Sequence, residues 1–294
     1  MISVVVVSFN TRDLLRKCLA SVRRFEPWAE VIVVDNASKD GSADMVAAEF
    51  PGTKLIRSST NLGFAAANNA GVRRAVGDVV VLLNSDAELL DDSLARCVGR
   101  LKADPYLGAV HPLLVGADGE PQGCEYPMPS LRAEARAAAR LNPRRAPAAT
   151  WLAGTALVIR RKALDAVGGG LDDGYFIYWE DADLSARLRA KGWELAVEPG
   201  AVVRHHGGAS GGGPDAARRP DLFAWYAWGR RRWYRRNRPW WESAGVWALD
   251  LCDVPRKYLR GLRHPARRAA EWAHARVSLR VLALGLLGIQ PSRP

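Results

Sequence analysis

Three clusters of carboxylates punctuate this chain: Asp35, Asp86 and the group Glu180–Asp183. The first two close unbroken apolar runs, Val31–Val34 and Val79–Leu83, of the kind found in strands buried on both faces of a parallel sheet. Open sheets of that kind bind ligands outside the carboxyl ends of their strands. Three acidic stations in such a setting suit a nucleotide, a metal ion and a proton acceptor.

Each station has a plainer reading beside the chemical one. Asp35 could accept hydrogen bonds from a base or ribose, but Asp35–Gly41 is also good turn chemistry. Alone it reads as the turn; beside Asp86 it reads as a nucleotide contact. Asp86 is the metal candidate, because Mg2+ or Mn2+ takes one or two carboxylates plus substrate phosphate oxygens. The plainer alternative is an N-terminal carboxylate for the helix that follows. Asn84 is neutral, so this turn offers fewer anionic ligands than an Asp-x-Asp turn.

In the third cluster, helical spacing separates the carboxylates. Leu184 and Leu188 form an inward stripe, and Asp181 precedes them by three and seven residues, so it points toward the sheet or cleft. Asp183 lies four before Arg187, the spacing of an exposed ion pair. Glu180 can cap the helix. Asp181 is therefore the choice for a general base, which must reach an acceptor hydroxyl. His205 and His206 follow an apolar strand, and a neutral imidazole near Asp86 would make His205 a metal ligand. GxxxxGK[ST] and a GxGxxG after the first strand are absent from the sequence, and Ser8 and Ser85 lack a G-x-S-x-G setting, which disfavours P-loop, dinucleotide and serine-hydrolase chemistry.

These residues need a scaffold of alternating strands and helices. Strand Ile2–Ser8 leads to a helix over about Arg12–Phe25, with Leu14, Leu15, Cys18, Leu19, Val22 and Phe25 as its stripe and Thr11 as N-cap. Strand Val31–Val34, a short helix capped by Ser42, a helix from Asn61 to about Val76, strand Val79–Leu83 and a helix opened by Asp91–Ser93 follow. The alternation predicts right-handed parallel crossovers. Gly108–Val115 reads as a strand and residues 118–149 as a long mobile loop with a helix near Leu131–Leu141. Trp151–Arg160 reads as one strand, and a helix from Glu180 to Lys191 precedes strand Trp193–Val197 and the Ala201–Ser210 stretch. The Gly-rich run Gly207–Pro214 marks a boundary between residues 1–212 and 213–294.

The charge is uneven across that boundary. The net charge is +11, yet residues 1–214 hold 25 basic against 25 acidic side chains and residues 215–294 hold 17 against 6. Six of the 11 tryptophans lie between Trp225 and Trp247. Cations mixed with Trp and Tyr suit a helical segment lying on an anionic membrane. Nucleic-acid binding is the rival and lacks any accompanying fold signature; a basic oligomer face is the bland option. No apolar run approaches the roughly 20 residues that span a bilayer, and the N-terminus reads as a core strand rather than a signal peptide. The four cysteines have no CxxC spacing, so neither a zinc site nor a redox pair is indicated.

Taken in order, Val4–Asn10, Val33–Gly41, Asn61–Ala65, Leu83–Asp86 and Tyr178–Leu184 resemble the family 2 glycosyltransferases, most nearly the bacterial rhamnosyltransferase-like members. The resemblance covers about residues 2–210. It implies an α/β GT-A fold with a mostly parallel sheet flanked by helices, to which the composition of residues 213–294 adds a C-terminal basic, aromatic, helical extension. It also implies a nucleotide-diphosphate sugar donor, a divalent metal (Mg2+ or Mn2+) and inversion by direct displacement. Ser8, Asn10, Asp35, Asn61, Phe64, Asn84 and Ser85 would bind the donor, Asp86 and His205 the metal. Trp151, Gly154, Thr155 and Glu180 would line the acceptor side, with Asp181 as base. Asn84 departs from the Asp that many relatives carry. The expected setting is cell-envelope glycan synthesis on a polyprenyl-linked or glycan acceptor, in the cytoplasm and peripherally at the inner face of the membrane. A nucleotidyltransferase on a similar sheet is the alternative enzyme, disfavoured because no Gly-rich loop and Lys follow the first strand.

Overall fold

The computed structural model describes residues 1–139, 150–207, 220–265, 268–286 and 290–291. The chain divides into two compact units. One comprises Met1–Tyr126, Ala149–Phe176 and Glu180–Ser210; the other comprises Pro127–Ala148, Ile177–Trp179 and Gly211–Pro294. The helical unit thus also draws in two segments, 127–148 and 177–179, that precede the Gly-rich run in sequence. The boundary expected at 212/213 lies outside the described residues.

The first unit is built on a sheet of order β3-β2-β1-β4-β10-β6-β11-β5, with β7 beside β6. Its left half is parallel: β1 (Ile2–Ser8) lies between β2 (Glu30–Asp35) and β4 (Val79–Asn84), and β3 (Lys54–Arg57) flanks β2. The valine-rich runs alternate their side chains between two cores. Val4, Val6, Val33 and Val81 pack with Leu15, Cys18, Leu94 and Cys97 of helices α1 (Arg12–Phe25) and α4 (Ser93–Ala103). Val5, Ile32 and Val80 pack with Ala65, Val72, Leu184 and Leu188 of α3 (Phe64–Val72) and α7 (Glu180–Ala190). Burial on both faces is what their β-branched, non-alternating sequence requires.

The right half departs from the parallel expectation. β10 (Ala156–Arg160) runs antiparallel to both β4 and β6 (Leu107–Val115), and β11 (Glu194–His205) is parallel to β6. β5 (Ala87–Leu89) and β7 (Pro121–Gln122) are antiparallel additions that the apolar pattern did not reveal, being two or three residues long. The expected single strand Trp151–Arg160 breaks into β9 (Thr150–Leu152), which pairs with β8 (Glu125–Pro127), and β10. The break arises because the Ala153 N–H turns to the Cys124 carbonyl and the Gly154 N–H to Asp181. Trp193–Val197 and the Ala201 segment join into one strand, β11, with an irregularity between Glu198 and Val202.

Two expected caps are also reassigned. Thr11 makes no capping bond, because its hydroxyl joins Ser8 and Ser85. The start of α2 (Ser42–Glu49) is held by Asp40, which accepts from the Ser42 N–H at 3.0 Å. The loop expected over 118–149 contains β7, β8 and α5 (Leu131–Ala138), while residues 140–149 lie outside the described residues.

The second unit packs α5 with α8 (Pro220–Asn237), α9 (Trp240–Arg263) and α10 (Arg268–Leu286). Trp225, Trp233 and Tyr234 of α8 are buried. Along α9, Trp240, Trp241, Leu251, Pro255, Leu259 and Leu262 are exposed. At about 100° per residue they fall within an arc of roughly 100°. No described helix is long and apolar enough to cross a membrane.

Candidate active site

Strand register gathers the expected site residues at one end of the sheet. Ser8 pairs with Asp35, and Val7 with Asn84, so these polar residues end adjacent parallel strands. β10 runs the opposite way and begins at that end, which brings Gly154 and Thr155 there; β11 ends there with His205. The Asn84 N–H donates to the Thr155 carbonyl at 2.8 Å, tying the Asp86 turn to the segment that holds Asp181.

The loops after β1, β2 and β4 are cross-braced. Ser8, Thr11 and Ser85 form a buried hydroxyl chain with spacings of 3.0 and 2.8 Å. Asn10, at φ 55°, accepts from the Lys39 N–H at 2.7 Å and donates its own N–H to Ser38. Asn36, not singled out from sequence, accepts from the Leu62 N–H and donates to Asn61 at 2.9 Å, shaping the entry to α3. Asp35 is buried; one oxygen accepts from the Ser38 N–H, and the other, Oδ1, has no partner.

Asp86 is followed by strand β5, not by a helix, so the helix-cap reading of this carboxylate falls away. Its Oδ1 is buried without a hydrogen bond and stands 3.4 Å from His205 Nε2. Gln122 of β7 sets the imidazole. Its amide donates to the His205 carbonyl at 3.1 Å, which leaves Oε1 to accept from His205 Nδ1 at 2.9 Å. An amide oxygen only accepts, so Nδ1 carries a proton, and Nε2 is the nitrogen that faces Asp86. Either a proton on Nε2 or a cation seated between the two atoms would satisfy both. A hard divalent ion fits this O/N pair, and donor phosphates and water would complete its shell. Among the described residues no third His, Cys, Asp or Glu joins them. Gln122 carries no sequence motif; only the antiparallel β6–β7 turn brings it to His205.

Asp181 opens α7. Its Oδ2 accepts from the Gly154 N–H at 3.1 Å and its Oδ1 from the Ala182 N–H at 2.8 Å. Burial pushes its pKa up to about 6, against the opposing pull of those two N–H donors. Glu180 beside it is fully enclosed, its Oε2 unpartnered; burial first and the Asp181 charge second raise its pKa well above the usual range, so it is the protonated member of the pair. Asp183 was expected at the surface. It is instead 0% exposed, paired with Arg187 Nε at 2.7 Å, while Arg187 also donates to the Val167 and Gly170 carbonyls. The i,i+4 spacing identified the partner, but the packed 167–176 loop turns that pair inward.

Close backbone approaches hold this corner. The Phe64 N–H donates to the Phe176 carbonyl at 2.6 Å, and a Cβ on Gly63 (φ 86°) would lie 2.5 Å from that oxygen. Asn69 braces the same loop through both the N–H and the carbonyl of Leu171. A Cβ on Gly154 would meet Phe64 at 3.4 Å and Asp181 Oδ2 at 3.7 Å, so these three residues share one space. Trp151 stacks on Tyr126 at 4.8 Å. Just before Glu180, Tyr178 and Trp179 hold φ of 71° and 76°, a left-handed conformation costing bulky residues about 1–3 kcal/mol each.

A mixed sheet between helices, with polar residues gathered at one set of strand ends, defines an α/β fold with a single polar corner. The model of the family described as Glycosyl transferase family 2 matches residues 3–168, and the chain belongs to that family; it is a glycosyltransferase. It is 28% identical to an N-acetylglucosaminyl-diphospho-decaprenol L-rhamnosyltransferase of Mycobacterium tuberculosis, over 94% of this chain and 99% of that protein. It is 26% identical to a poly-beta-1,6-N-acetyl-D-glucosamine synthase of Staphylococcus epidermidis, over 68% of this chain and 48% of the relative. Among solved structures, a mannosyltransferase from Pyrobaculum calidifontis in complex with GDP-Man and Mn2+ superposes with TM-score 0.56 at 17% identity, covering 98% of this chain and 87% of the other. S. aureus TarS (residues 1–349) gives TM-score 0.54 at 15% identity, covering 99% and 93%. These likenesses establish the GT-A fold.

Proposed function

We propose that this glycosyltransferase moves a sugar, rhamnose being the leading candidate, from a nucleotide-diphosphate donor to a hydroxyl of a lipid-linked cell-envelope glycan, with inversion at the anomeric carbon. The observation that carries the reading is the Asn84–Thr155 bond, which joins the Asp86 turn to the Gly154–Asp181 corner. Full-length similarity to a rhamnosyltransferase whose name specifies a diphospho-decaprenol acceptor supports the acceptor class.

Asp35 receives the base or ribose through its free Oδ1, with Ser8, Asn10, Asn61, Phe64, Asn84 and Ser85 shaping the donor pocket. Asp86 and His205 hold a divalent metal, Mg2+ or Mn2+, which when bound offsets charge on the diphosphate leaving group. Trp151, Gly154, Thr155 and Glu180 receive the acceptor. Asp181 takes the hydroxyl proton as that oxygen attacks, the leaving diphosphate departing from the opposite face. A carboxylate with pKa near 6 is well matched to proton abstraction, being ionised at neutral pH yet more basic than a solvated Asp. Glu180, held neutral, adds no second negative charge and can donate a hydrogen bond to the acceptor. The exposed apolar arc of α9 rests in the interface of an anionic bilayer, on the cytoplasmic side where nucleotide sugars are made; nucleic acid is not a partner.

Replacing Asp181 by Asn tests the assignment. Transfer should fall roughly 10²–10⁴-fold while donor binding, read by thermal shift with Mn2+, stays within a factor of two or so of wild type. Substantial retained transfer would remove Asp181 as the base.

A further inference from the structure

Helices α5, α8, α9 and α10 enclose a cavity of about 600 Å³ within the helical unit. Six cations line it: Arg230, Arg231, Lys257 and Arg260, with Arg256 and Arg263 at its exposed rim. Three carboxylates answer them. Asp250 pairs with both Arg230 and Arg231, Glu134 with Arg230 at 3.2 Å, and Asp253 with Lys257 at 2.9 Å and Arg260 at 3.4 Å. Glu271, outside the lining, approaches Arg260 at 3.6 Å. The lining keeps an excess of three positive charges, and among the described residues neither Arg256 nor Arg263 has an ion-pair partner.

The pairing is incomplete in detail as well as in count. Arg230 Nε and Arg231 Nη1 are buried N–H donors without an acceptor. Both guanidiniums turn to one carboxylate, Asp250, so their charges crowd together. Burial, then the charge of Arg230, pushes the Arg231 pKa down to about 10. An unpaired buried donor is destabilising, and like charges at close range add to that cost. An entering anion would relieve both. Guanidinium forks match phosphate oxygens in pairs. Phe223, Leu249 and Leu259 give the wall an apolar stretch beside Tyr226 and Ser278, and the volume lies in the usual range for small-molecule sites, roughly 300–1,000 Å³.

We propose that this cavity binds a phosphate-bearing anion carrying an apolar chain, of the size of a diphosphate with its first isoprene units. The cations take the phosphates and the Phe223, Leu249 and Leu259 wall takes the hydrocarbon. That the anion is the diphosphate of the acceptor lipid rests on the function proposed above; the phosphate chemistry rests on the cavity alone.

The test uses the full chain and phosphatidylcholine vesicles with or without geranylgeranyl diphosphate, read by co-sedimentation. Binding should require the diphosphate lipid. It should weaken about tenfold in Arg256→Gln/Arg263→Gln, each exposed arginine giving up one charge-assisted contact. Arg231→Gln should weaken it further; the rim variant carries the test if that buried change unfolds the unit. Inorganic diphosphate should compete, but less well than the ester. Equal binding to plain phosphatidylcholine, equal binding to phosphatidylglycerol vesicles of matched charge, or an unaffected rim variant would overturn the site. Inorganic diphosphate binding as tightly as its ester would overturn the lipid assignment. Displacement by a single-stranded oligonucleotide at lower concentration than by diphosphate would overturn it in favour of nucleic acid. Nucleoside-diphosphate binding with Mn2+, measured on the same samples, reports separately on the sheet unit, so loss of either reading is seen without the other.

Discussion

Transfer should depend on pH through a single carboxylate. Asp181 must be ionised to accept a proton, and its pKa is raised to about 6 by burial. The ionised fraction is then roughly nine-tenths at pH 7 and one-tenth at pH 5, so initial rates at subsaturating acceptor should fall about tenfold between them. Glu180 and Tyr126 are the titratable neighbours. Burial raises both, Glu180 well above the usual carboxyl range and Tyr126 above a phenol's, so the inflection near 6 is assigned to Asp181. Glu180→Gln should therefore leave the inflection near 6, whatever it does to acceptor affinity.

The sign for stability runs the other way. A carboxyl whose folded pKa lies above its unfolded value favours the folded state below about pH 4 and loses that contribution as pH rises through 6. From 3.8 to about 6 the shift is worth up to roughly 3 kcal/mol, nearer 2 after allowance for partial exposure. Asp181→Asn removes that cost at pH 7 but leaves one of two N–H groups, Gly154 or Ala182, facing an amide NH2, at about 1–3 kcal/mol. The two offset, so Tm at pH 7 should move by only a few degrees while transfer disappears. Rate profiles from pH 5 to 8, with nucleotide binding followed in parallel, supply the assay. A wild-type rate flat from pH 5 to 7 would refute the reasoning, as would an inflection displaced in Glu180→Gln.

Three other outcomes are expected. Gln122→Leu, which frees the His205 ring, should weaken Mn2+-dependent nucleoside-diphosphate binding about 10–100-fold and Asp86→Ala should weaken it more, by thermal-shift titration; unchanged affinity in both would dissociate this pair from the metal. Gly63→Ala places a Cβ 2.5 Å from the Phe176 carbonyl at a left-handed φ and should cost at least about 2 kcal/mol in urea unfolding. Trp240→Ser/Leu262→Ser on the α9 arc should reduce co-sedimentation with anionic vesicles at least tenfold, since each side chain gives up roughly 1.5–3 kcal/mol of burial; transfer to a short soluble acceptor should be untouched.

In the left half of the sheet β1, β2 and β4 were legible as apolar runs ending in polar residues, a pattern set locally by burial on both faces, whereas β3, Lys54–Arg57, alternates too briefly to have been read as a strand. The right half was not. β10 carries an equally apolar run, Ala156–Arg160, and nothing in such a run states whether it lies parallel or antiparallel to β4. The same limit hid two partners. Gln122 lies 83 positions from His205, and Thr11 reaches Ser85 across 74. Neither pairing has local spacing to betray it. Helical spacing did distinguish Asp181 from Asp183, but it gave only direction around α7. Whether a face meets solvent depends on what else packs there, and the 167–176 loop buried the Asp183–Arg187 pair that spacing alone put outside.

Unmet hydrogen-bonding demand locates the site independently of any motif. Among the described residues of the sheet unit, the buried side-chain atoms without partners are Asp35 Oδ1, Asn84 Oδ1, Asp86 Oδ1, Glu180 Oε2 and Arg204 Nε. Four belong to residues the sequence nominated, and the fifth is next to His205. Buried polar groups are normally paired, and each that is not costs about 1–3 kcal/mol. Random imperfection would scatter such atoms through the strands and helices, yet the hydrophobic interior contributes none. The concentration at one end of the sheet means that the fold leaves there polar groups whose partners must come from a ligand, an ion or water. A nucleotide sugar with a divalent ion offers ribose hydroxyls for Asp35 and positive charge for Asp86. Binding should therefore stabilise the sheet unit beyond what contact area alone gives, and Asp35→Ala should abolish that extra stabilisation while raising the stability of the ligand-free protein.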